Sequence, residues 1–74
     1  MNESPDPFDA QRRLWRGYGD FVVRSLGASR AEVDAIHRDF EQSALTMETT
    51  NPRLSKIASE MAAEFYSGAL DALK

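Results

Sequence analysis

Apolar residues between Phe8 and Leu26 recur at the spacing of an α-helix and cover roughly half of its circumference. At about 100° per residue, the apolar arc consists of Phe8, Leu14, Trp15, Tyr18, Phe21, Val22 and Leu26. A helix on the outside of a small monomer usually buries a stripe only about 100° wide. The extra width predicts that this helix packs against two neighbours or against a second chain.

Two more segments have helical periodicity, and each of the three segments begins with a capping signal. Asp6 and Asn51 each precede a proline, which is tolerated at the first position of a helix. Ser29 and Glu32 have the spacing of a capping box, in which each side chain accepts from the other residue's amide. The sequence therefore predicts helices over about residues 7–26, 30–47 and 52–73.

The connections between the predicted helices are short, so that sequential helices should lie side by side in opposite directions. We expect an all-α fold, either an antiparallel three-helix bundle or extended helical hairpins, formed by residues 6–74 behind a disordered tail of residues 1–5. The third helix has a second wide apolar arc, in which alanines and Gly68 allow close approach of a neighbour. Two wide arcs in 74 residues without cysteine favour completion of the core by self-association, in a homo-oligomer that is a dimer or larger.

Charge is unevenly distributed along the chain, whose net charge is −3. Five arginines and one acid lie between Gln11 and Arg30, whereas the next twenty residues contain five acids and one arginine. This pattern predicts attraction between neighbouring helices, within the chain or across a dimer. The negative net charge makes nucleic acid an unlikely partner. No segment approaches the ~18 apolar residues of a membrane span, and we expect a cytoplasmic protein.

The residue types that carry catalysis and metal binding are scarce. His37 is the single histidine, and its position in the pattern predicts a helix-surface residue. Glu60 and Glu64 lie one helical turn apart, but the Glu-x-x-His motif typical of carboxylate metal sites in bundles is absent. We therefore expect no enzymatic activity, and the sequence predicts neither a cofactor nor a metal.

Gly17 and Gly19 interrupt the first helix, each at a cost of about 1 kcal/mol relative to alanine. They do not form a dinucleotide-binding motif, because G-x-G-x-x-G would need a third glycine where Val22 stands and a preceding strand. The two glycines therefore predict either a bend in the helix or the close approach of another backbone or a ligand.

Together these features predict a small helical module that binds another protein, as a regulatory, adaptor or accessory subunit. Trp15, Tyr18 and Phe21 are the expected anchors on the aromatic face of the first helix, with Arg12 and Arg16 at its rim. Two alternatives stay open. The arginines could bind nucleic acid or an anionic surface, or the bundle could hold a small ligand or a metal.

Overall fold

The computed structural model describes residues 8–74 of the chain, which form three α-helices and no strand. The helices are α1 (Asp9–Arg24), α2 (Arg30–Met47) and α3 (Pro52–Leu73). α3 packs against both other helices and is the central element of the described chain. The prediction of an all-α three-helix bundle is confirmed. No helix within residues 8–74 combines the length and the apolar content that crossing a membrane requires.

α1 is shorter than the predicted helix over residues 7–26 at both ends. Its first helical residue is Asp9, and Phe8 before it makes no side-chain capping bond. The predicted cap at Asp6 and the expected tail of residues 1–5 lie outside the described residues. At the other end the chain turns at Gly27, whose φ of 73° suits glycine, and the Gly27 amide donates to the Val23 carbonyl at 3.1 Å. This turn removes residues 25 and 26 from the helix.

The other two helices begin at their predicted capping residues. The Ser29 hydroxyl accepts from the Glu32 amide at 3.2 Å, while the Ser29 amide donates to the Glu32 carboxylate at 2.8 Å. Both halves of the predicted capping box are therefore present. Before α3, the Asn51 side chain accepts from the Leu54 amide at 3.2 Å, with Pro52 as the first helical residue.

α2 and α3 run antiparallel, as two hydrogen bonds near opposite ends of their contact show. The buried Ser55 hydroxyl donates to the Ala44 carbonyl at 2.6 Å, close to the turn between the helices. Farther along, the Tyr66 hydroxyl donates to the Asp34 carboxylate, also at 2.6 Å. Because residue numbers rise along one helix as they fall along the other, the two helices form a hairpin.

α1 runs parallel to α3, and the two helices meet at a pair of glycines. A Cβ on Gly19 would overlap the Phe65 carbonyl oxygen and lie 2.7 Å from the Ala69 amide nitrogen. A Cβ on Gly68 would overlap the carbonyl group of Arg16. Each glycine thus faces the backbone of the opposite helix. For Gly19 the predicted alternative of close approach is confirmed, and α1 is the neighbour that approaches the small face of α3.

The core lies where all three helices meet. Phe65 of α3 and Val33 of α2 are both 0% exposed, the lowest values among the large core side chains. Val22 of α1 and Ala69 of α3 complete the buried cluster. All three helices therefore contribute side chains to one core, and the wide apolar arc of α3 is used within the chain because it serves two neighbours.

Candidate functional site

Three apolar side chains remain exposed next to one another along α1. Leu14, Tyr18 and Phe21 are 62%, 43% and 47% exposed, and their spacing of four and three residues places them on one side of the helix. The rings of Tyr18 and Phe21 stack with centroids 6.5 Å apart. We call these three residues the α1 strip. Together with Leu26, which is 65% exposed just beyond the end of α1, the strip is the part of the wide apolar arc that packing within the chain does not cover.

Trp15 lies beside the α1 strip and is half-buried, in contrast to the three strip residues. Its ring meets Phe40 of α2 edge-on at 5.3 Å between centroids, and Tyr18 edge-on at 5.7 Å. A surface depression between α1 and α2 is lined by Leu14, Trp15, Tyr18 and Phe40. Trp15 and Phe40, both half-buried, therefore form the floor of an apolar groove whose α1 edge is Leu14 and Tyr18. Phe21 continues the strip beyond the groove.

The groove is joined to the core through aromatic contacts. Phe65 lies 5.2 Å from Phe40 and 5.7 Å from Tyr18, measured between ring centroids. Because Phe65 is completely buried, these contacts fix Tyr18 and Phe40 against the rigid centre of the molecule. A partner would thus meet a preformed surface, which lowers the entropic cost of binding.

The structure does not bring Arg12 and Arg16 to the rim of the α1 strip. Arg12 donates to the Glu60 carboxylate at 3.1 Å, and Arg16 donates to Glu64 at 3.0 and 2.6 Å. Both arginines therefore pair with α3 at the helix contact, and the sequence-predicted set of five site residues is divided between two sides of α1. The predicted attraction of basic α1 to a neighbouring acidic helix exists, but α3 supplies the acids and α2 does not.

Two ion pairs occupy the outer face of α1. Arg13 pairs with Asp9 at 3.0 Å, and Arg24 pairs with Asp20 at 2.5 Å, both one helical turn apart. The same spacing would also permit a pair between Arg16 and Asp20. Arg16 instead reaches Glu64 on α3.

A polar cluster joins α2 to α3 on the side of Tyr66. The His37 ring stacks on Tyr66 with centroids 4.3 Å apart, and its Nε2 lies 3.3 Å from the Glu41 carboxylate. His37 is half-buried rather than fully on the surface. The hydrogen bond from Tyr66, opposed by partial desolvation and assisted by Arg30, lowers the pKa of Asp34. These contacts connect the two helices of the hairpin.

Within residues 8–74 no three histidine, cysteine or acidic side chains are arranged so that they could hold a metal ion. Glu60 and Glu64, the acids considered for such a site, form the ion pairs with Arg12 and Arg16. With these acids engaged, the candidate site of the described residues is the apolar groove with the α1 strip.

Leu14 belongs to the predicted apolar arc but not to the predicted docking residues, and Phe40 of α2 lies outside the predicted site. The sequence contains a signal for Leu14, because its helical spacing places it on the same side of α1 as Tyr18 and Phe21. The sequence contains no such signal for Phe40, because its contact with Trp15 joins two different helices. Comparison of the chain with protein-family models, curated proteins and solved structures finds no match.

Proposed function

We propose that this protein is a small non-enzymatic helical module that binds another protein chain through the α1 strip, as a regulatory, adaptor or accessory subunit. The observation that carries the proposal is the exposure of Leu14, Tyr18 and Phe21 side by side. Contiguous exposed apolar side chains often mark interaction sites on small soluble domains. Aromatic residues are also enriched at the centres of protein interfaces.

Each residue of the groove has a different part in the proposed binding. Tyr18 and Phe21 are about half exposed and would contact the partner's surface, while Leu14 extends the contact along α1. Trp15 and Phe40 form the floor, which could accept an apolar side chain from the partner. Arg12 and Arg16 hold α1 against α3, so that their contribution to docking would be indirect.

The charges of α1 favour a protein partner over nucleic acid or an anionic surface. Ion pairs with Asp9, Asp20, Glu60 and Glu64 engage all four arginines of α1. Binding a phosphate backbone would require these pairs to open, and the net charge of −3 adds repulsion. As part of the same proposal we place the protein in the cytoplasm, where proteins rarely depend on disulfides.

The proposal is tested by replacing part of the strip and a matched residue elsewhere. Leu14→Gln combined with Phe21→Gln should abolish binding while far-UV circular dichroism keeps the wild-type helix signal, because both side chains are exposed. Leu45→Gln is the control, since Leu45 on α2 is 59% exposed and lies outside the groove. Binding is measured as sedimentation of the pure protein and as quantitative affinity capture from the native host.

The two variants must differ for the proposal to stand. We expect the strip variant to lose self-association or captured partners, and Leu45→Gln to retain both. If the strip variant keeps its helices and binds as the wild type does in both measurements, the α1 strip is not a docking surface.

A further inference from the structure

Gly17 lies on the exposed side of α1, and no contact within the described chain accounts for it. A Cβ built on Gly17 meets no atom within 4 Å, whereas Gly19 faces the backbone of α3. Alanine would be favoured over glycine at an exposed position inside a helix. Gly17 lies in a shallow depression that Arg13 and Asp20 border on the α1 side and that Gly68 and Asp71 border on the α3 side. At this position α1 could accept a second helix as closely as it accepts α3 at Gly19.

The charges on the outer face of α1 are arranged symmetrically about the same place. Arg13 and Asp20 are equidistant in sequence from the point midway between Arg16 and Gly17, and so are Asp9 and Arg24. In each of these two matched pairs, one residue is acidic and the other is an arginine. An antiparallel copy of α1 centred on this point would therefore place Asp20 opposite Arg13 and Asp9 opposite Arg24.

We propose that a second copy of this chain packs antiparallel against α1, with a twofold axis beside Gly17. The inference rests on the proposed function, since it names the partner of the α1 strip. Arg13 of one copy then faces Asp20 of the other, and Asp9 faces Arg24. Because Asp9 already pairs with Arg13 and Asp20 with Arg24 within each chain, the four side chains form an alternating network at each end of the contact.

The same twofold axis joins the α1 strips of the two copies. When the twofold axis is perpendicular to the plane that contains the two antiparallel helices, the same side of both helices lies above that plane. The opposite side of both helices lies below it. Leu14 of one copy thus lies between Tyr18 and Phe21 of the second copy, on the side of Gly17 opposite the charged network. The contact combines an apolar half with an ionic half, and Gly17 lies where the backbones are closest.

A twofold interface must be complementary to itself, and this face of α1 meets that condition. A second copy therefore fits this face better than an unrelated protein does. A surface with charges of one sign would repel its own copy. Here the order acid, arginine, acid, arginine at positions 9, 13, 20 and 24 is converted into its complement when the helix direction is reversed. The apolar strip requires only another apolar strip.

The experiment uses two single charge reversals, Arg13→Glu and Asp20→Arg, in the full chain. In a homodimer of either variant, two attractive contacts become repulsive, and the association constant should fall about tenfold or more. Mixing the two variants in equal amounts creates a heterodimer in which residues 13 and 20 are complementary again. We therefore expect the mixture to recover association that each variant alone has lost, as measured by sedimentation equilibrium. Arg38→Glu on α2 is the control and should associate like the wild type.

Two results would overturn the proposed dimer. One is a wild-type protein that sediments as a monomer at about 100 µM, a concentration well above the Kd of most specific complexes. The other is a mixture of Arg13→Glu and Asp20→Arg that associates no better than either variant alone. The replacements of Leu14 and Phe21 test separately whether the α1 strip is a docking surface. If the wild type is monomeric but the Leu14 and Phe21 replacements remove a captured protein, the α1 strip binds a different chain.

Discussion

Gly19 and Gly68 face each other's helices at the contact between α1 and α3, where neither position has space for a Cβ. This contact holds α1 parallel to α3 with the Arg16 backbone against Gly68. Its consequence for the surface is direct. Because this side of α1 is fixed against α3, Leu14 and Phe21 remain exposed on another side of the helix.

Replacing the two α1 glycines by alanine should have opposite effects on stability. Gly19→Ala forces a methyl group into the α3 backbone and should lower the free energy of unfolding by about 1–3 kcal/mol or more. Gly17→Ala adds a methyl group in open space and should raise it by about 0.5–1 kcal/mol. Urea unfolding at a concentration low enough to keep the protein monomeric measures both values. Equal effects of the two replacements would contradict the described contact of α1 with α3.

The ion pair between Arg16 and Glu64 should stabilise the contact of α1 with α3 modestly. The pair is partly exposed, with side-chain accessibilities of 58% and 24%, so that we expect a coupling energy of about 0.5–1 kcal/mol. A double-mutant cycle with Arg16→Gln and Glu64→Gln measures this energy as a difference in unfolding free energies. The coupling should shrink as salt screens the charges. A zero coupling at low salt would show that the two side chains do not interact.

The contact of Asp34 with Tyr66 should make stability depend on acidity. The hydrogen bond from Tyr66, with help from Arg30 and Arg38 and against partial desolvation, lowers the pKa of Asp34 in the folded protein. Stabilisation by the ionised carboxylate is therefore fully present above the unfolded pKa of about 3.9 and is lost as the pH falls through the lower folded value.

Asp34→Asn isolates this contribution. At pH 7 the variant should unfold at a lower urea concentration than the wild type, and the difference between the two midpoints should shrink as the pH falls below about 4. Tyr66→Phe, which removes the hydroxyl donor, should reduce the same pH-dependent difference. A midpoint difference that stayed constant down to pH 2 would rule out the ionised carboxylate as its source.

The local features of the fold could be predicted from the sequence because each depends on residues close together in the chain. The Ser29 and Glu32 capping box and the Asn51 cap are satisfied within three residues. Helical periodicity likewise showed that α1 and α3 have wide apolar arcs. α3 is central because it packs against both other helices. The width of its apolar arc is the sequence signal for this position.

The division of the candidate site could not be predicted in the same way. Periodicity places Trp15 and Phe21 on one arc, but which part of the arc stays exposed depends on where α2 and α3 lie. Arg16 had an acid one turn away at Asp20, yet it pairs with Glu64, which is 48 positions away. Where a side chain could pair with either a nearby or a distant residue, the packing of the helices decides which partner it takes. A periodic sequence pattern contains no information about that packing.

The most direct test of the central claim, that the α1 strip is a docking surface, is site-specific photo-crosslinking in cells of the native host. A photoreactive phenylalanine analogue replaces Phe21 in one variant and Leu45, which is at least as exposed but remote from the strip, in another. We predict a covalent adduct with a single protein chain at position 21 and none at position 45, and the mass of the adduct distinguishes a second copy of this chain from a different protein. No adduct at position 21, or the same adducts at both positions, would contradict the claim.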